Sequence, residues 1–218
     1  KAAYERLLAV GAEEFGETLA EPGVWAFWWP RFQRAARWFV DTLAAYAEAG
    51  YDRPLATEVT GELEMPAPFA PFTLKATADR IDRDATGDLV LIDYKTGAAP
   101  TSKQVLAGYS PQLPLEGLIA QAGKFEGVAP ASVVGMEYWK ISGRDPAGEI
   151  VPVKAEAPEV LAVARKRLDD LVAVFDQAST PYRSVPRPGP DWAPRFSDYE
   201  LLARLGEWTP QEDEEAGE

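Results

Sequence analysis

Three charged residues stand at spacings that invite chemistry: Asp93 and Lys95, two apart in Leu91-Ile92-Asp93-Tyr94-Lys95, and Asp79 in Ala78-Asp79-Arg80-Ile81-Asp82. Side chains alternate faces along a strand, so Asp93 and Lys95 share one face while Tyr94 takes the other. A turn through Gly87 brings the end of the strand that carries Asp79 beside Asp93, which sets two carboxylates on one sheet edge with a lysine between them. Adjacent carboxylates repel unless a cation lies between them, so the arrangement points to a metal. Mg²⁺ takes oxygen ligands and keeps several waters; two Asp, a backbone carbonyl and water make a sensible set, and Mn²⁺ suits the same donors. Such an ion lowers the pKa of a bound water, and Lys95 can orient that water or neutralise charge growing on a phosphate. The matching reaction is phosphodiester hydrolysis.

Asp-x-Lys alone is common, and on an exposed strand it is a surface ion pair worth about 0 to 1 kcal/mol. Its setting separates this instance from that one: an apolar strand, Leu89-Val90-Leu91-Ile92, runs into the charges, a second Asp precedes it across a tight turn, and Thr96-Gly97 follows. Composition narrows the inorganic chemistry further. The 218 residues include no Cys and no His, which excludes disulfides, thiolate zinc, iron–sulfur clusters and Ser-His-Asp catalysis within this segment. The net charge of −13 argues against a protein that simply coats DNA, unless bound cations or local basic clusters offset it.

The elements that must position these residues read as follows. Tyr4, Leu7, Leu8, Phe15 and Leu19 recur near helical spacing until Glu21-Pro22-Gly23 breaks the pattern. A second helix spans about Trp29 to Ala49, with Phe32, Ala36, Phe39, Leu43 and Tyr46 on one stripe. Its Arg31, Arg34 and Arg37 read as a solvated face rather than a phosphate-binding ridge. The run Val24-Trp25-Ala26-Phe27-Trp28-Trp29 is capable of stacking bases but reads first as packing between the two helices. Ala56 to Met65 and Phe72 to Arg80 form a hairpin through Pro66-Ala67-Pro68, with Asp79 at the end of its second strand. Leu89 to Ile92 is a buried strand, and helices follow at Thr101-x-x-Gln104 and Ser110-Pro111. Val133 to Ile141 gives a further strand, and a late helix carries Leu161, Ala164, Leu168, Leu171 and Phe175 on one face. The expected fold is α/β, a small central mixed β-sheet flanked by helices with N- and C-terminal helical additions. It is expected to be one domain over 1–218: helices in 1–50, a catalytic α/β core in 55–145, a helix in 155–178, and a Pro-rich and acidic tail in 180–218. No apolar run is long enough to cross a bilayer, and the start has neither a signal-peptide core nor an initiator Met, so the chain reads as a soluble fragment.

Ala78-Asp79-Arg80-Ile81-Asp82, Ile92-Asp93-Tyr94-Lys95-Thr96-Gly97 and Gln112 in a following helix together resemble the RecB-type branch of the PD-(D/E)XK nuclease superfamily, with its restriction-endonuclease-like core. Trp28 to Phe32, Tyr109 to Pro114 and the tail from Arg204 to Trp208 resemble, more narrowly, the C-terminal nuclease region of AddB-type subunits. The resemblance implies that Asp79, Asp93 and the Tyr94 carbonyl hold the metal, that Lys95 is the catalytic lysine, and that Gln112 orients the site. It also implies a Glu before these strands; Glu58, Glu62 and Glu64 compete for that role, with Glu58 favoured. Asp82 reads as an ion-pair or turn residue. Glu116 stands where the family often has Tyr, and the family's early-helix His is missing. The implied activity is Mg²⁺-dependent cleavage of DNA in double-strand break repair and recombination. It would act as an exonuclease or endonuclease, in a heterodimer with an AddA-like helicase-nuclease subunit in the bacterial cytoplasm. The alternative is a non-cleaving module of the same complex that binds DNA or scaffolds the subunits; three charges on one face favour the enzyme.

Overall fold

Leu89-Val90-Leu91-Ile92 presents apolar side chains on both faces, and such a strand needs cover above and below. In the computed structural model, which describes residues 1–51 and 54–182, it becomes the middle of a five-stranded sheet. The strands lie in the order β1 (Pro54–Met65), β2 (Phe72–Arg83), β3 (Leu89–Lys95), β4 (Val133–Ile141) and β5 (Gly148–Pro152). β1 with β2, β2 with β3 and β4 with β5 are antiparallel, whereas β3 and β4 are parallel. A parallel step demands a crossover, and α3 (Ser102–Ala107) and α4 (Gln112–Gln121) fill it. The mixed sheet flanked by helices is the architecture the sequence implies. β5, short and without a continuous apolar run, is an addition to that reading.

Each face of β3 has its own core. Leu89 and Leu91, with Ile81 of β2, pack in one cluster with Leu113, Ile119 and Ala120 of α4 and with Val160 and Leu161 of α5 (Ala157–Phe175). Val90 and Ile92 look the other way, onto Trp139 of β4 and the stripe Trp38, Phe39, Leu43 and Tyr46 of α2 (Trp29–Glu48). Fully burying a side chain of this size contributes about 1.5–3 kcal/mol, so β3 is the best-anchored strand on which a site could be built. On α5, Ala157, Val160 and Leu161 are buried and Leu168 packs against the same cluster, whereas Leu171 is exposed rather than packed.

Two local departures matter for the site. β2 does not end near Asp79 but runs on to Arg83. Ala78 and Ile81 belong to the same cluster although they are three apart, so the alternation of faces slips between them. The slip lies across from Glu58, whose φ is +48° and which has no partner in a β1–β2 ladder that pairs Thr57 with Arg80 and Val59 with Ala78. The slip places Asp79 on the face of Ile81, Asp93 and Lys95. At the other end of the chain, α1 (Ala2–Phe15) is followed by a 3-10 turn (Gly16–Ala20) and a π-helical stretch (Val24–Trp28) that runs directly into α2. The aromatic run is therefore not a packed plug between two helices. Trp29 is buried, whereas Trp25, Phe27 and Trp28 are exposed. The tail residues from 183 onward, including the Arg204 to Trp208 segment, lie outside the described residues.

Candidate active site

The β2–β3 ladder closes at Arg80 opposite Ile92, and one further step along the register sets Asp79 across from Asp93. In place of a ladder bond, the Tyr94 N–H donates to Asp79 Oδ2 at 2.9 Å. A residue in an antiparallel pair points its N–H and C=O to the same neighbour, so the Tyr94 carbonyl also lies on the Asp79 side. Asp93 is 1% exposed. Lys95 Nζ reaches back along β3 to lie 2.9 Å from Asp93 Oδ1 and 2.8 Å from Oδ2. Only the Oδ1 contact has hydrogen-bonding geometry, and Oδ2 is left buried without a hydrogen-bond partner. Burial pushes the Asp93 carboxyl above the usual aspartate value; Lys95 pulls it down without cancelling the shift, and Asp79 adds to the push.

From Lys95 the network continues into α4. Lys95 Nζ donates to Gln112 Oε1 at 3.1 Å, and Gln112 Nε2 donates to Glu116 Oε1 at 3.1 Å. The amide of Gln112 is thereby oriented, with its acceptor toward the ammonium and its donor toward a carboxyl one helical turn on. Glu116 is 3% exposed. Burial pushes it up to about 7, against the Gln112 hydrogen bond and with the help of Asp93 and Asp79. Tyr138 stands opposite Asp93 in the parallel pairing, and its hydroxyl is buried without a partner. Burial first, then Asp93 and Glu116, raise its pKa above that of an ordinary tyrosine.

The sequence-derived residues Asp79, Asp93, Tyr94, Lys95 and Gln112 are thus brought together. Glu58 is not joined to them: it lies exposed beside Asp79, and among the described residues no hydrogen bond or ion pair ties it to the pair. Glu62 is engaged with Lys75 at 2.6 Å. Glu116 is the acidic residue that sequence reasoning passed over. The signal was its position four after Gln112, on the same face of a helix.

The donors suit a divalent cation. All are hard oxygens, and Asp93 Oδ2, buried and without a hydrogen bond, is countered by the Lys95 ammonium at 2.8 Å. Among the described residues no group of three or more His, Cys, Asp and Glu side chains converges to hold an ion. An ion held here would take two carboxylates and a carbonyl from the protein and would retain several waters.

Glu116 supplies a test of this electrostatic picture that needs no substrate. In the folded chain it keeps its proton up to about pH 7, against an ordinary glutamate value of 4.5. Between those values the folded state binds more protons than the unfolded one. The resulting stability is complete below 4.5 and lost as pH rises through 7. Glu116→Gln preserves an acceptor for Gln112 and removes the titration. Relative to the variant, the wild type is expected to lose about 3 kcal/mol between pH 4.5 and pH 8, at 1.36 kcal/mol per unit. Urea denaturation in EDTA at the two pH values measures it, and a pH-independent difference would refute the assignment.

A model of the PD-(D/E)XK nuclease superfamily matches residues 1–189. A 62-residue stretch, 28% of this chain, is 39% identical to an uncharacterised protein of Rickettsia typhi and 37% identical to one of Rickettsia conorii. That stretch is 7% of the length of either relative, so the chain spans a small part of the curated proteins it matches. The crystal structure of SSO0001 aligns with 83% of this chain and 75% of its own, at 17% identity and a TM-score of 0.33.

Proposed function

The chain belongs to the PD-(D/E)XK nuclease superfamily, whose members are nucleases that typically use divalent metals, and from that premise we propose that it is the DNA-cleaving module of an AddAB-type helicase-nuclease. In this reading it hydrolyses phosphodiester bonds with Mg²⁺, or Mn²⁺ in its place, during double-strand break repair and recombination. An AddA-like subunit in the bacterial cytoplasm delivers the strand to it. No helix among the described residues is long and apolar enough to cross a membrane.

One observation carries the reading: Asp79, Asp93, Lys95 and Gln112 come together where β3 ends in the middle of the sheet, and one buried carboxylate oxygen among them lacks a hydrogen bond. Asp79, Asp93 and the Tyr94 carbonyl would hold a divalent ion, which supplies a water of lowered pKa and a Lewis acid for a phosphate oxygen. Lys95, 30% exposed and paired with Asp93, would offset the negative charge that grows on the phosphate in the transition state. Gln112 accepts from that ammonium and limits its swing. Glu116, in turn, fixes the amide of Gln112.

Degradation of end-labelled linear DNA in Mg²⁺ and in Mn²⁺, by this chain within its full subunit and with its partner, tests the proposal. Lys95→Ala is expected to slow cleavage about 10²- to 10³-fold, the usual effect of deleting one preorganised charge-stabilising donor, and Asp79→Ala at least as much. DNA binding is retained in both. Unchanged cleavage in both variants would leave a non-cleaving scaffold as the better description.

A further inference from the structure

Residues 22–40 contain Arg31, Arg34 and Arg37 and not one carboxylate, in a chain with 35 acidic residues against 22 basic ones. The same stretch is the richest in aromatic rings, and most of its N-terminal rings point outward. Trp25 is 58% exposed, Phe27 73% and Trp28 58%. These rings stand on an anchored base. Trp29 is turned inward, stacks on Phe32 at 5.4 Å and meets Phe15 edge-on at 5.9 Å, while Trp25 stacks on Trp29 from outside at 6.4 Å. The Arg31 guanidinium lies 5.5 Å from the centre of the Trp28 ring. Phe27, Trp28, Pro30, Arg31 and Arg34 line an open recess of about 500 Å³. Large apolar rings gathered on a surface mark an interaction site, and scattered single ones do not.

The position of this patch connects it with the candidate active site. Arg34 Nε donates to the Gly143 carbonyl at 2.8 Å, and Gly143 lies two residues past the end of β4 at Ile141. β4 runs parallel to β3, with Lys140 beside Lys95. α2 therefore reaches the same end of the sheet as Asp93 and Lys95, on the opposite face, where it covers Val90 and Ile92. Six residues lead from Arg34 back to Trp28, roughly 9 Å along the helix axis at a rise of 1.5 Å per residue.

We propose that Trp25, Phe27 and Trp28, with Arg31 and Arg34, form a docking surface for single-stranded DNA at the end of the sheet that also carries the candidate site. Exposed ring faces accept unpaired bases without regard to sequence, whereas the bases of a duplex are already stacked on one another. Arginine supplies phosphate contacts and cation–π contacts together. Local positive charge in an otherwise acidic protein favours an anionic occupant, and an acidic protein surface would leave the ring faces without partners. The surface rests on the nuclease reading for its purpose but not for its chemistry.

The test is binding of a fluorescein-labelled oligothymidylate to the full subunit in EDTA, followed by anisotropy, with circular dichroism melts to confirm folding. Phe27→Ala with Trp28→Ala is expected to weaken binding at least tenfold, at the lower range of what stacked bases contribute. The melt should be unchanged, because both rings are exposed. Arg31→Ala is expected to lower the slope of log affinity against log salt by about 1. Affinity and salt slope unchanged in these variants would overturn the docking surface. So would a loss of self-association in the ring variants, read by sedimentation, with DNA affinity intact, since the face would then bind a second copy. Because binding is read without divalent ions, the two readings fail separately. A wild type that grips the strand through these rings yet does not cleave it in Mg²⁺ counts against the nuclease and not against the surface.

Discussion

Asp93→Asn is expected to lower DNA cleavage by about three orders of magnitude or more while raising the melting temperature in EDTA at neutral pH. In the proposed reading, loss of activity follows from charge: an amide of the same shape is a poor ligand for a hard divalent cation, and the activated water and charge stabilisation that an ion held by Asp93 would supply are lost together. The gain in stability follows from burial. Asp93 is buried, and its carboxyl is raised above the usual aspartate value even after the attraction of Lys95 is included. The folded state therefore disfavours the ionised form relative to the unfolded chain. The stability contribution of a raised acid is present below its unfolded pKa and lost as pH rises through the folded one. A neutral isostere escapes that loss. Lys95, 30% exposed, can turn to solvent once its partner carries no charge. Opposite movements of activity and melting temperature are the signature of a residue kept for function at some expense to the fold. Gel assays and calorimetry read the two quantities. If cleavage persisted at the wild-type rate, Asp93 would lose its role; if cleavage and stability fell together, its role would be structural.

How far the sequence could be read depended on whether a signal was local. β3 was legible because a run of apolar residues ending in Asp93 and Lys95 has one good environment, the middle of a covered sheet. The capping box at Thr101 and Gln104 forms as its residue types require. The Ser110 cap does not form, and α4 begins after Pro111 without a side-chain cap. The slip in β2 was hidden, because no residue type between Ala78 and Ile81 marks it and it shows only in which side chains share the core. The aromatic run was misjudged for a related reason. Composition says that seven rings lie in 25–39 but not which of them the fold turns inward, and a π-helical stretch alters the angle between successive side chains. Glu116 was visible as a departure from a family pattern, but its importance arises from burial beside two carboxylates on strands that the sequence does not place.

The largest effect on folding is expected at Asp82, three residues from Asp79 and on the opposite face. Arg80 donates from Nε to Asp82 Oδ1 at 2.7 Å and from its terminal amine to Oδ2 at 2.6 Å, with the two side chains 2% and 0% exposed. The guanidinium lies 5.1 Å from the centre of the Trp139 ring, within the core covered by α2. Burial works most strongly against the charge of Arg80, but Asp82 and Tyr94 together outweigh it and hold the group above its ordinary pKa. Asp82→Ala removes the counter-charge and strands a cation in a dry site, an effect of about 3–5 kcal/mol. Arg80→Met combined with Asp82→Leu is expected to recover most of that loss, because a well-packed apolar pair avoids the desolvation of both charges. Urea denaturation of the single and double variants measures both values, and a single variant within 1 kcal/mol of wild type would rule out an unrelieved buried charge. Below its lowered melting temperature, Asp82→Ala should still cleave DNA, since Asp79, Asp93 and Lys95 occupy the other side of the sheet. Two aspartates in one five-residue motif are thus separated by face alone: one beside Asp93 and Lys95, and one toward a core that already holds a cation of its own.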